Sequence, residues 1–226
     1  MICRKHNGKK IEKFIDQLSK QKVDKSKVLN FYHEDDNFPQ YFTTRMNLLV
    51  YLTQMKEKKP KTLFVGEAPG KDGCAITGIP FTSEDIMSRI NSFDLFGFPD
   101  EVEVKGKTIN LKENLQKERT ATMVWNTLIN LNFCPLLWNA FPYNPFDPNT
   151  KKNRKPTQSE IEIGKKYLTK LLELYKIKHV VAIGKAAEDI LKQLKINCHK
   201  VPHPSYGNKK KFNDRIKELI AEGQIN

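Results

Sequence analysis

The run Thr62-Leu63-Phe64-Val65 stops abruptly at Gly66-Glu67-Ala68-Pro69-Gly70, and three later segments are cut off in a similar way. A run this short, bounded by Gly and Pro, reads as a buried strand with a tight loop leaving its carboxyl end. Leu136-Leu137-Trp138-Asn139-Ala140-Phe141 is broken by Pro142 and Pro145. His179-Val180-Val181-Ala182-Ile183 ends at Gly184, and Cys198 to Val201 ends at Pro202-His203-Pro204-Ser205. Helical patterns lie between these runs, and strands that alternate with helices pair most economically as a parallel sheet. The expected fold is therefore α/β: a three-layer sandwich around a central, mostly parallel four-stranded sheet. In such a sheet, the loops at the carboxyl ends of the strands build the ligand site.

Tyr41 to Leu52 reads as a helix with Phe42, Met46, Leu49 and Val50 as its apolar positions. Gly78-Ile79-Pro80-Phe81 precedes a helix over Ser83 to Phe93, and Thr120 or Thr122 is placed to cap one through Val124, Leu128 and Leu131. Thr157 and Glu160 have capping-box spacing ahead of a helix carrying Ile161, Leu168, Leu171, Leu172 and Tyr175 on one face. Gly184 opens another helix, and Phe212, Ile216, Leu219 and Ile220 mark a last, basic amphipathic one. Glu101-Val102-Glu103-Val104 and Thr108-Ile109-Asn110-Leu111 alternate around Lys105-Gly106-Lys107, the signal of an inserted β-hairpin. The first thirty residues are lysine-rich, with a weak helical pattern through Ile11, Phe14, Ile15 and Leu18. The expected division is a basic extension over 1–40, packed on or flanking the domain, and an α/β domain over 41–226.

At 226 residues the chain can bury a substantial single core, and its formal net charge is +13. Such an excess favours a polyanionic partner, nucleic acid ahead of a membrane surface, although it also suits a merely solvated lysine-rich exterior. Cys3, Cys74, Cys134 and Cys198 include no close pair, the usual anchor of a zinc or iron–sulfur site, so no metal or other cofactor is expected. No stretch approaches membrane-spanning length, and Met1-Ile2-Cys3-Arg4-Lys5 leads into polar residues rather than a signal-peptide core. The expectation is a monomer in the cytoplasm, at the nucleoid if the source is bacterial, with reduced thiols.

Four polar sets share the inferred sheet edge: Glu67 with the amides of its loop, Asn139, the Gly184 turn, and His203 with Ser205. Phe81 lies on the loop after the first of them. An aromatic plate, an amide side chain and a histidine are what reading a flat heterocycle requires. The ring stacks on the aromatic, and the amide offers a paired donor and acceptor to its edge. The histidine, or backbone amides beside it, can stabilise negative charge on a departing base. Each residue also has a plainer use: Phe81 in the core, Asn139 or His203 satisfying loop backbone, Glu67 as a capping carboxylate. Their joint placement at successive strand ends favours a site.

The order GEAPG, GIPF, WNA, NRKP and HPS, spread from Lys61 to Ser205, resembles the uracil-DNA glycosylase superfamily, and most of all its family 4 branch. The resemblance implies an enzyme that flips uracil or a related pyrimidine out of single- or double-stranded DNA and hydrolyses its N-glycosidic bond, leaving an abasic site. It implies that Glu67 and the amides from Ala68 to Gly70 border the base and sugar, that Phe81 stacks on the base, and that Asn139 reads its Watson–Crick edge. His203 would bond the base carbonyl and stabilise the leaving anion, and Ser205 would hold a phosphate. Tyr206, just past the motif, is placed to enter the gap left by the flipped nucleotide. Arg154, Lys155, Lys209, Lys210 and Lys211 flank two motifs as phosphate contacts, a source of affinity and salt sensitivity rather than base choice. No lysine stands out as a Schiff-base nucleophile, which favours a monofunctional glycosylase over a lyase.

The chain departs from the branch in two respects. Family 4 members carry an iron–sulfur cluster on four cysteines that include a close N-terminal pair. Cys3 has no such neighbour, so no cluster and an outlying branch are expected. The strongest superfamily members also place a water-activating aspartate and a thymine-excluding tyrosine in the first motif. Here Ala68 stands at the aspartate position, and Glu67 and Asp72 are both open as water activators. Without the tyrosine, a C5-modified pyrimidine, including one in foreign phage DNA, stands beside uracil as a substrate, with antiphage defence as the corresponding role. Two non-enzymatic readings compete: a catalytically silent lesion-binding relative, and a small-molecule nucleotide binder. The second is disfavoured because the loop lacks both the P-loop lysine and G-x-G-x-x-G.

Overall fold

The computed structural model describes residues 2–35, 40–89, 93–96, 101–104, 107–110 and 115–226. In chain order its elements begin with α1 (Ile2–Ser19), β1 (Val28–Leu29), α2 (Tyr41–Lys58), β2 (Thr62–Gly66), α3 (Cys74–Thr77) and α4 (Glu84–Arg89). There follow β3 (Glu101–Val104), β4 (Lys107–Asn110), α5 (Arg119–Asn130), β5 (Leu136–Asn139) and β6 (Asn144–Pro145). The last are α6 (Gln158–Tyr175), β7 (His179–Ile183), α7 (Gly184–Gln193), β8 (His199–Val201) and α8 (Lys209–Ala221).

The four expected strands pair as one parallel sheet in the order β5-β2-β7-β8, flanked by helices. Every residue of β2 and β5 is buried, which explains why these segments read as continuous apolar runs rather than alternating ones. Register aligns their exits: Gly66 pairs with Asn139, and Ile183 of β7 with Val201 of β8. The chain leaves each strand at one edge, and residues far apart in sequence, such as Gly66 and Asn139, become neighbours there. Helix α6 is held close to that edge because Gly164 carries no side chain. A Cβ there would stand 1.9 Å from the Ala140 carbonyl oxygen.

Helix α1 contributes to the same core. Ile11, Phe14, Ile15 and Leu18 are at most 4% exposed, and Phe14 meets Trp138 edge-on at 5.7 Å. Tyr143 and Tyr167 donate their hydroxyls to the Leu18 and Gln17 carbonyls, which ties the end of α1 to the body of the domain.

The hairpin pairs Glu101–Val104 with Lys107–Asn110, so Lys107 is a strand residue, and Lys105, Gly106 and Leu111 lie outside the described residues. Within the expected Ser83–Phe93 helix, α4 spans Glu84–Arg89, with 90–92 outside the described residues. The expected cap of α5 is wrong. Glu118 is its N-cap, its carboxylate accepting from the Thr120 and Ala121 amides at 2.8 and 2.5 Å. The expected apolar face of α2 is also wrong: Phe42, Met46 and Val50 are exposed, and Thr44, Leu48, Tyr51, Leu52 and Met55 are buried. Apolar residues surround this helix on most sides, so periodicity alone does not select a face. Close packing selects it, since Gly78 sits against the Thr44 backbone where a Cβ would come within 2.2 Å of the carbonyl oxygen.

Candidate active site

Gly66 ends β2 and forms the floor of the strand-end edge. A Cβ on it would stand 2.4 Å from Phe81 Cζ and 2.6 Å from Asn139 Oδ1, so the aromatic ring and the amide both converge on the space a side chain would fill. A glycine in a strand interior marks this kind of close approach. Phe81 has φ +55°, in the left-handed region that costs a bulky residue about 1–3 kcal/mol. Asn139 is 4% exposed, and its amide makes no hydrogen bond among the described residues. The amide is not among the fully buried polar atoms left without a partner, so it keeps access to the space above Gly66 and is free to bond a ligand there.

Glu67 follows immediately and is half-buried. Burial pushes its carboxyl above the usual range, and the nearby Lys155 ammonium draws it part of the way back. The loop is braced from the side: Asn144 donates from Nδ2 to the Pro69 carbonyl at 2.8 Å and to Asn153 Oδ1 at 2.9 Å, and Asn153 lies against Gly70. Ala68 and Gly70 therefore stand on a held loop, while Asp72 is exposed on the turn beyond it.

His203 follows β8 and packs on the next strand exit. Gly184 has φ +85°, and a Cβ there would be 3.1 Å from His203 Cβ. The Ser205 amide donates to His203 Nδ1 at 3.3 Å, which leaves Nε2 to carry the hydrogen of the neutral ring. Burial pushes the imidazole below its ordinary pKa, opposed in part by the Glu118 carboxylate. Ser205 and Thr120 hydroxyls lie 3.3 Å apart, so the start of α5 joins the site. Sequence reasoning missed Asn144 and Asn153 because each acts through a tertiary contact, and Glu118, a local cap of α5, because it reaches the site only through its charge beside His203. The only local signal was Glu118 standing two residues before Thr120.

The flanking residues divide. Tyr206 is 99% exposed with φ +58°, beside the His203 and Ser205 turn. Lys155 is exposed near Glu67, and Lys209, Lys210 and Lys211 form the exposed first turn of α8. Arg154 differs from what its motif suggests. All five of its N–H groups are engaged, two by Glu160 at 2.7 and 2.8 Å and three by the Lys27, Phe146 and Lys155 carbonyls. It braces the loop and has no donor to spare for a phosphate.

Among the described residues no three His, Cys, Asp or Glu side chains gather as a metal site. Cys74 is buried, Cys134 lies against the Met55 sulfur, Cys198 precedes β8, and burial raises all three thiols. No helix of the described residues is long and apolar enough to cross a membrane.

The fold is similar to the crystal structure of wild-type Pedobacter heparinus SMUG2, with a TM-score of 0.65 at 16% identity, covering 96% of this chain and 98% of that one. No curated protein sequence matches. The model of the uracil DNA glycosylase superfamily matches residues 53–222, which include all the strand-end residues described above. With three quarters of its length matched, the chain belongs to the uracil DNA glycosylase superfamily.

Proposed function

We propose that this protein is a monofunctional DNA glycosylase that takes a uracil-like pyrimidine out of the DNA stack and hydrolyses its N-glycosidic bond. The observation that carries the reading is the convergence of Phe81 and the unpartnered Asn139 amide over Gly66. A pyrimidine laid on the Phe81 ring would present its edge to Asn139, which can donate and accept at once. As the bond breaks, the sugar gains oxocarbenium character and the base leaves as an anion. A neutral His203 donating from Nε2 to the base carbonyl stabilises that anion without first having to lose a proton. Water then adds at the sugar. Glu67 suits the activation of that water better than Asp72, because it borders the base and its raised pKa lies in the direction a general base needs.

Ser205, Tyr206, Lys155 and Lys209–Lys211 make the DNA surface in this reading. Three lysines in the first turn of α8 oppose the helix dipole, a local cost that a phosphate would relieve. Arg154 is a brace of that surface. The motif order supports an outlying member of the family 4 branch, and this reading takes it to act as a monomer without the cluster.

Small residues at Ala68 and Gly70 leave room beside the base, which favours a second substrate, a C5-modified pyrimidine. The test is base release from oligonucleotides carrying uracil or C5-modified pyrimidines, read by alkali cleavage, for the wild type and Asn139→Ala. Loss of a paired base contact predicts a fall of roughly 5- to 150-fold in kcat/KM with salt-dependent DNA binding retained. No release from any substrate, with DNA still bound, would replace this reading with a silent lesion binder.

A further inference from the structure

A cavity of about 780 Å³ lies beside the site rather than in it. That volume falls within the range of about 300–1,000 Å³ that accepts a small organic ligand. One wall, carrying Lys22, Val23 and Val28, comes from the segment between α1 and α2; the other carries Asn144, Phe146 and Lys151. The pairing of β1 with β6 joins the walls, and the Phe146 amide donates to the Lys27 carbonyl at 2.8 Å. Asn144 belongs to both places, since the same side chain holds the Pro69 carbonyl of the site loop.

The charges on the rim are unequal in what they have left to offer. Lys20 and Lys25 are paired with Asp16 and Asp35, each at 2.9 Å. Lys22 has no acidic partner among the described residues, whereas Lys151 acts on the nearby Asp147 carboxylate and its ammonium also stands 5.1 Å from the centroid of the Phe146 ring. An apolar floor with one aromatic plate and unbalanced positive charge at its mouth suits a base with its phosphates. Continuity with the loop through Asn144 makes a strand already bound at the site the occupant best placed to reach it.

We infer that this cavity holds a nucleotide flanking the excised base on the same strand, with its base against Phe146 and its phosphates near Lys22 and Lys151. The inference rests on the reading of the protein as a DNA glycosylase. Residues 20–35, which form one wall, lie outside the stretch matched by the superfamily model, whereas Asn144, Phe146 and Lys151 of the other wall lie within it.

The test measures fluorescence anisotropy with single-stranded oligonucleotides, without requiring cleavage. A short strand centred on an abasic site is compared with strands extended only on the 5′ side or only on the 3′ side. Extension on one side is expected to tighten binding, and extension on the other is not. Phe146→Leu, which keeps apolar bulk and removes the ring, is expected to lose at least about fivefold on the favoured extended strand alone, the lower end for a base–aromatic stack. Lys22→Gln is expected to lower the salt slope on that strand by about 0.7. Equal gains on both sides, or equal losses on all strands in both variants, would overturn the inference. So would saturation by deoxynucleoside monophosphates with no dependence on strand length. Failure of the glycosylase reading shows separately, as absent base release, because anisotropy is read on uncleaved strands.

Discussion

Gly66→Ala is the substitution that bears most directly on the site. Gly66 has no positive φ, so the backbone accepts alanine, and the obstacle is the space occupied by Phe81 and Asn139. The new Cβ would begin 2.4 Å from Phe81 Cζ and 2.6 Å from Asn139 Oδ1. Ordinary contact lies near 3.5–4.0 Å, so the ring and the amide must each retreat by roughly 1 Å. A misplacement of about 1 Å at a reacting centre costs on the order of 10²-fold, or about 2.7 kcal/mol of transition-state stabilisation. Overpacking should cost about 1–3 kcal/mol of stability, a loss of several degrees in Tm that leaves the domain folded. Single-turnover base release, Tm and DNA anisotropy measured together separate these effects. Gly8→Ala is the matched control, because its Cβ would meet nothing within 4 Å and it lies outside the site. Wild-type release by Gly66→Ala would refute the claim that Phe81 and Asn139 frame the base. An equal loss in both glycine variants would refute the claim that the contact above Gly66 is special.

Three further outcomes are expected. His203→Ala should slow base release more than it weakens DNA binding, and wild-type activity should fall as pH drops through the depressed His203 pKa, below about 6.5. Because burial penalises the imidazolium, His203 contributes stability that is full above the unfolded value and lost as pH falls through the folded one; His203→Ala should flatten that part of a Tm–pH curve. Arg154→Lys should destabilise the protein by about 1.5–3 kcal/mol, measured by urea unfolding, because an ammonium cannot replace the paired bond to Glu160 and three carbonyl contacts. Glu188 is held at a pKa of about 2 by Lys192 and Lys200, so the Tm difference between wild type and Glu188→Gln should be full above pH 4.5 and shrink between 4.5 and about 2. A constant difference across that range would show that Glu188 acts through packing.

Much of the architecture was legible in the chain itself. Short apolar runs closed by Gly or Pro fit buried strands, and the helices between them make the sheet parallel, so β2, β5 and β7 follow from local pattern, while β8, with His199 and the exposed Lys200, is marked chiefly by the proline that ends it. The capping box of Thr157 and Glu160 is equally local, a reciprocal pair of bonds within one turn. The candidate strand-end residues were also readable, since a strand's exit is marked by where its apolar run stops. Local pattern could not choose the buried face of α2, because its apolar residues occur nearly all round and Gly78 and its neighbours make the choice. Nor could it distinguish Arg154 as a brace from Lys155 as an exposed cation, because that depends on Glu160 and three carbonyls converging on one guanidinium. The convergence over Gly66 likewise belongs to tertiary structure. Sequence determined which side chains stand at strand ends; parallel register, acting across residues far apart in the chain, decided that Gly66 and Asn139 stand side by side.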